Sequence, residues 1–208
     1  GLYTIQVKLT GKACEVLKDT QVFIQTRPQT SFTASGGACL GDTMQFVHSG
    51  TAYSPSYRWN FGDPFSGQSN TDSVANPRHR FSLAGTYSVR LVLTDTLNCR
   101  DTFTGSFTVY GIPQANFTVN NTCSGLLTQF TNSSTAAGGD TLRTFSWTFG
   151  DSGSDTLASP THSYADTGDY AVRFIVTSNS GCIDTINKTV SIYEKPIISS
   201  DLNELCQN

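Results

Sequence analysis

Charge is scarce in this chain of 208 residues: Asp, Glu, Lys and Arg make up 14% of it, where a soluble domain typically carries about a quarter. Apolar residues are also few, at 37%, and there is one Met. No segment holds a 3.6-residue apolar period over a useful length, so long amphipathic helices are not expected. No apolar run approaches the roughly 18 residues a membrane-crossing helix requires. None of the six cysteines forms a Cys-x-x-Cys pair, which removes the zinc-ribbon and thioredoxin readings. The formal net charge of −3 offers no basic field for nucleic-acid phosphates. Gly1 does not open a signal peptide, so any export signal is expected outside this sequence. What the chain does hold is 18 Gly, 13 Phe and 8 Tyr among many Thr, Ser and Asn. Such a mixture suits short strands joined by polar turns.

Three segments recur in order. Tyr57-Arg58-Trp59-Asn60-Phe61-Gly62-Asp63 returns as Phe145-Ser146-Trp147-Thr148-Phe149-Gly150-Asp151. Asn76-Pro77-Arg78-His79-Arg80-Phe81 returns as Ser159-Pro160-Thr161-His162-Ser163-Tyr164, and Gly85-Thr86-Tyr87-Ser88-Val89 as Gly168-Asp169-Tyr170-Ala171-Val172. The last motif also opens the chain, as Gly1-Leu2-Tyr3-Thr4-Ile5. Pro28, Pro113 and Pro196 stand at equivalent joints. The repeat therefore divides the chain into 1–27, the end of a preceding module; 28–112 and 113–195, two whole modules; and 196–208, the start of another. The chain reads as a slice of a longer array.

Alternation is clean within each module. Tyr87, Val89, Leu91 and Leu93 share a strand face, as do Tyr170, Val172, Phe174 and Val176. Tyr57, Trp59 and Phe61 do the same, as do Phe103, Phe107 and Val109. The fold class expected is all-β, with two antiparallel sheets per module packed as a sandwich.

The Trp-x-Phe-Gly-Asp turn, the Asn/Ser-Pro-x-His-x-Phe/Tyr strand and the Gly-x-Tyr-x-Val strand resemble the PKD (polycystic kidney disease) repeat. That resemblance implies tandem immunoglobulin-like sandwiches placed head to tail. The Cys-x-Gly-Asp and Asn-x-Gly-Cys flavours resemble PKD arrays of Bacteroidota surface adhesins and gliding-type secreted proteins, which implies export by type IX secretion. Pro64 and Ser152 follow Gly-Asp where the family often has Gly, so the turn is expected to depart from the family there. Under the same resemblance, Asp-Thr/Ser-aliphatic triplets mark Thr43, Ser73, Thr96, Thr141, Thr156 and Thr185 as possible O-glycosylation acceptors. Asn116, Asn120, Asn132 and Asn187 head formal N-glycosylation sequons, which a bacterial exporter usually leaves bare.

His79 and His162 sit at matched positions, so packing and hydrogen bonding explain them better than catalysis; His48 has no counterpart, Asn132 standing in its place. Asp63 and Asp151 end the Trp strand, where a carboxylate accepting backbone N–H groups of the turn is expected. With Trp59, Phe61, Tyr87, Trp147, Phe149 and Tyr170, these residues make a structural core motif. Calcium takes about six to eight oxygens, and Asp63, Asp72, Asp151 and Asp155 are too sparse to supply them. No cofactor and no metal is expected, calcium being the one ion such carboxylates leave open. No Ser-His-Asp or Cys-His constellation repeats and no phosphate loop follows a strand, so no enzyme is expected.

Naming the strands A to G as in an immunoglobulin-like module, Cys39 and Cys123 fall in the A–B turn and Cys99 and Cys182 in the F–G turn. Strands of about seven residues separate those turns by more than roughly 20 Å, whereas a disulfide tolerates about 7 Å between Cα atoms. Head-to-tail stacking therefore favours Cys39–Cys182 across the joint at Pro113. Cys123 and Cys206 would then reach forward, and Cys14 and Cys99 backward. Cys39–Cys99 with Cys123–Cys182 stays open as the alternative. Disulfides imply an oxidising, extracellular setting, at a cell surface or secreted.

The function expected is an extracellular structural stalk segment of a large bacterial adhesin or cell-surface filament, bearing tension and spacing a binding tip from the cell. Its partners would be neighbouring modules, other copies of the chain in a fibre, and an unidentified cell-surface or glycan ligand, without nucleic acid and without a membrane span. The rival is a carbohydrate- or protein-binding module of a secreted multidomain protein or hydrolase, with Tyr53, Tyr57 or Phe65 at the contact.

Overall fold

A computed structural model describes residues 1–196 apart from 13, 25, 52–54 and 121. The chain is all-β, with strands β1 (Leu2–Thr10), β2 (Glu15–Phe23), β3 (Gln29–Ser35), β4 (Met44–Thr51), β5 (Ser56–Asn60), β6 (Thr71–Asp72), β7 (Arg78–His79), β8 (Gly85–Thr94) and β9 (Arg100–Val109) in its first part. They are followed by β10 (Phe117–Asn120), β11 (Leu127–Asn132), β12 (Leu142–Thr148), β13 (Ser154–Asp155), β14 (Thr161–Ser163), β15 (Gly168–Ser178) and β16 (Ile183–Ile192). A 3₁₀ segment, Pro64–Asn70, lies between β5 and β6. Among the described residues no helix is long and apolar enough to cross a membrane.

Two sandwiches repeat one topology. The first packs a β3-β4-β7 sheet against a β6-β5-β8-β9 sheet, and the second packs β10-β11-β14 against β13-β12-β15-β16. Alternation explains the faces: on β8, Tyr87, Val89, Leu91 and Leu93 are buried while Thr86, Ser88 and Arg90 are exposed. Phe32 and Phe46 from one sheet meet Trp59 from the other at ring-centroid distances of 4.9 and 5.8 Å. In the second sandwich Phe117 and Phe130 meet Trp147 at 5.1 and 5.5 Å, and Phe174 stacks on it at 3.6 Å. Each such buried aromatic contributes on the order of 1.5–3 kcal/mol relative to exposure.

The chain divides into two compact units, residues 1–36, 43–79 and 87–107 in one, and 37–42, 80–86 and 108 onward in the other. The 37–42 and 80–86 turns thus fall in the same unit as the later residues. Cys39 and Cys182, which are covalently joined, both belong to that second unit.

Residues 2–23 form a hairpin, β1 pairing β2 from Leu2 opposite Phe23 to Thr10 opposite Glu15. Tyr3, Ile5, Val7 and Leu9 lie on it at 46–65% exposure. Their counterparts on β8, Tyr87, Val89, Leu91 and Leu93, are exposed by 9% or less.

Candidate functional site

The repeated Trp-x-Phe-Gly-Asp segment builds the best-defined polar cluster of each sandwich. Trp59 and Trp147 are fully buried, and their indole Nε1 groups donate to the carbonyls of Val74 at 2.9 Å and Leu157 at 3.0 Å. Each indole thus stitches the sheet to the loop that covers it and satisfies its own buried N–H. The glycine that follows is obligatory. Gly62 sits at φ +70°, where a Cβ would lie 2.7 Å from the Ser88 carbonyl oxygen; Gly150 at φ +88° would meet the Ala171 nitrogen at 2.9 Å.

That turn delivers a carboxylate to a histidine. His79 Nε2 lies 3.2 Å from Asp63 Oδ2 with both side chains buried, and its ring stacks on Phe61 at 4.1 Å and 5°. His162 Nε2 lies 2.7 Å from Asp151 Oδ2 and stacks on Phe149 at 4.2 Å and 8°, but this pair is about a fifth exposed. The two aspartates differ more than the repeat implies. Asp151 accepts the Gly153 N–H through Oδ1, the turn role expected of it. Asp63 is turned into the core toward His79, and its backbone N–H is taken by Asn70 Oδ1. Pro64 starts the 3₁₀ segment immediately after Asp63, whereas Ser152 takes φ +75° after Asp151. Tyr164 caps the second cluster, its hydroxyl donating to the Phe149 carbonyl at 3.1 Å, and burial pushes that phenol well above its usual range.

Burial also lowers the imidazole of His79 below 6.5, outweighing the raising influence of Asp63, and burial lowers His48 likewise. Partial burial pushes the Asp151 carboxyl up, but the His162 and Gly153 hydrogen bonds prevail and hold it below the ordinary carboxylate value. For the two lowered histidines, the unfolded chain takes up a proton near pH 6.5 that the folded chain refuses. Their stabilising effect is complete above pH 6.5 and is lost as pH falls through their lower folded values, at most about 1.4 kcal/mol per pH unit for each. Urea denaturation between pH 7 and 5 should show this decline. A His48→Asn/His79→Gln chain should show a flatter one, and an equal slope would refute the assignment.

The cysteines occupy matched backbone settings. Cys39 and Cys182 are bonded, with Cα atoms 5.6 Å apart and a sequence separation of 143. Cys39 pairs in parallel with Tyr110, as Cys123 does with Tyr193, and the Leu40 and Ser124 N–H groups donate to the two tyrosine carbonyls. Cys99 and Cys182 accept equivalent turn bonds, from the N–H groups of Asp95 and Ser178. Cys14, Cys99 and Cys123 are free thiols; Cys206 lies outside the described residues.

The remaining sequence candidates are scattered. Thr43, Ser73, Thr96, Thr141, Thr156 and Thr185 are all exposed. Phe65 stands 77% exposed on the 3₁₀ segment, Tyr57 packs its ring against His48 at 5.2 Å, and Tyr53 lies outside the described residues. Asp72 and Asp155 each bind the N–H groups of the next two residues. Among the described residues no three His, Cys, Asp or Glu side chains converge as a metal site would require. The His–Asp pairing itself was not anticipated; its signal was the joint return of Asp63 with His79 as Asp151 with His162.

The profile of the PKD domain matches residues 25–110 and 111–192. Over 57 residues the chain is 39% identical to collagenase ColA of Clostridium perfringens, a match covering 27% of this chain and 5% of the collagenase. Among solved structures, the PKD1 domain of the Vibrio cholerae metalloprotease PrtV is 31% identical, covering 39% of this chain and 96% of that one, with a TM-score of 0.36. The PKD1 domain of Vibrio anguillarum Epp is 27% identical, covering 41% and 99%, with a TM-score of 0.38.

Proposed function

The chain belongs to the PKD domain family, and on that premise we propose that it is an extracellular structural segment of a large bacterial adhesin or surface filament. Its modules bear tension and space a binding tip from the cell. The carrying observation is the Cys39–Cys182 bond, which joins positions 143 apart in sequence with both buried tryptophans between them. Once β3 and β16, which lie outside that loop, have been drawn away, tension passes through two sulfur atoms and the chain between the cysteines stays unextended. A disulfide of this kind belongs in an oxidising compartment, and the relatives named for a collagenase and a metalloprotease favour a secreted setting.

The matched turns extend the reading along an array of modules, here 28–112 and 113–195. Cys123 occupies the setting of Cys39, and Cys99 that of Cys182, so each serves the corresponding bond to a further module, forward and backward respectively. The outward apolar row of Tyr3, Ile5, Val7 and Leu9 fits residues 1–27 as the last hairpin of a preceding sandwich. The deciding measurement is end-to-end extension with the bond intact and reduced; identical traces would remove the tension-bearing role.

A second reading, an accessory binding module of a secreted hydrolase, is favoured by Phe65. A large ring held 77% exposed on a short 3₁₀ turn is a ready contact for a ligand. If it serves so, Phe65→Ala weakens retention on fibrous collagen or an insoluble polysaccharide severalfold without shifting the melting point. Equal retention of the two proteins dismisses it.

A further inference from the structure

The first sandwich carries a cationic groove on the outward face of its four-stranded sheet. Arg58 on β5, Arg90 on β8 and Arg100 on β9 line a hollow of about 460 Å³ with Asn60, Thr102 and the apolar Val92. Alternation places two of them there, Arg58 on the opposite face from the buried Trp59 and Arg90 from Val89 and Leu91, while Arg100 opens β9 between the half-buried Cys99 and Asp101. All three arginines are exposed, and among the described residues none takes part in an ion pair.

The module's own acids do not answer this charge. Residues 28–112 contain five Asp and no Glu. Asp42 accepts the Cys39 N–H, Asp72 those of Ser73 and Val74, Asp95 those of Leu97 and Cys99, and Asp101 that of Thr30, while Asp63 faces His79. Nor does the fold require the cluster. The second sandwich, built on the same topology, has Ser146, Arg173 and Ile183 at the matched positions.

Three guanidinium forks on neighbouring strands about 4.8 Å apart present paired N–H donors to carboxylate or sulfate oxygens. A protein partner would want a central apolar anchor, and Val92 alone is apolar here. A chain of hydroxyls and spaced anions needs no such anchor, and the Thr and Asn side chains between the arginines match its hydroxyls. We propose that this groove binds an acidic polysaccharide, bearing uronate or sulfate groups, in a register set by the three arginines. This goes beyond the tension-bearing role and does not depend on it.

Calorimetry of the oxidised 208-residue chain with polygalacturonate and with heparin tests the proposal. At least one polymer should bind, less tightly as salt rises. Arg58→Ser/Arg100→Ile, which installs the residues of the second sandwich, should weaken binding roughly tenfold or more with an unchanged melting curve. Arg143→Ser should bind as the parent does. Should the double variant fail to fold, Arg90→Gln alone takes its place and should weaken binding in the same direction. Unchanged affinity in a folded groove variant, no binding to either polymer, or equal binding of neutral dextran would overturn the site. Equal or tighter binding of polyglutamate or duplex DNA would overturn the polysaccharide as its occupant.

Discussion

Reduction of the Cys39–Cys182 bond is expected to let the chain, pulled by its ends, extend by about 500 Å more than the oxidised chain does. The figure follows from the 143 residue-to-residue steps between the two cysteines, each able to span at most about 3.3–3.6 Å when extended, less the few ångströms the closed bond spans. In the oxidised protein a force applied at the ends first draws β3 and β16, which lie outside the loop, away from β4 and β15; thereafter it enters at Cys39 and leaves at Cys182, and the chain between them stays unextended. Both Trp59 and Trp147 lie within the bypassed stretch. Single-molecule pulling with and without dithiothreitol reads the difference directly. A Cys39→Ser/Cys182→Ser chain should behave as the reduced one does. Full-length extension from a chain verified as oxidised would contradict this force path.

Truncation of either tryptophan is the second large effect, at about 3–5 kcal/mol for Trp→Ala. Trp59 touches Phe32, Phe46 and Phe61, and Trp147 stacks on Phe174 at 3.6 Å, so each removal opens a void lined by rings that cannot close it. It also strands the Val74 or Leu157 carbonyl that the indole satisfied. Against a typical domain stability of about 5–15 kcal/mol, that loss is a large share. The sequence holds two tryptophans, which makes the experiment specific. In Trp59→Ala, the fluorescence of Trp147 reports on the second sandwich alone, while circular dichroism follows both. The expected result is early loss of dichroism with the Trp147 transition following separately. An unchanged urea midpoint by both probes would deny Trp59 its structural role.

The fold was legible because each signal in it is local. Alternation along Tyr87–Leu93 and Tyr170–Val176 names a buried face directly, and the return of Trp-x-Phe-Gly-Asp fixes two copies of one topology. What escaped depends on which distant segments meet. His79 on β7 and Asp63 in the turn after β5 are 16 residues apart, and neither residue's immediate neighbours announce the other. The divergence between Asp63 and Asp151 arises from Pro64 against Ser152, a difference visible in the sequence whose consequence is set by three-dimensional packing. The arginines of the groove are spread over three strands from Arg58 to Arg100, and charge counted over the whole chain hides them in a net of −3. The grouping of the 37–42 turn with later residues likewise cannot be read from a period.

The hairpin of residues 2–23 has a practical corollary. It forms a two-stranded sheet with Leu2, Ile5, Val16 and Phe23 open to solvent. Strand rims with bare backbone groups invite addition of a foreign strand. At high protein concentration this end, rather than either sandwich, is where molecules would stick to one another, so handling and crystallisation hinge on covering it.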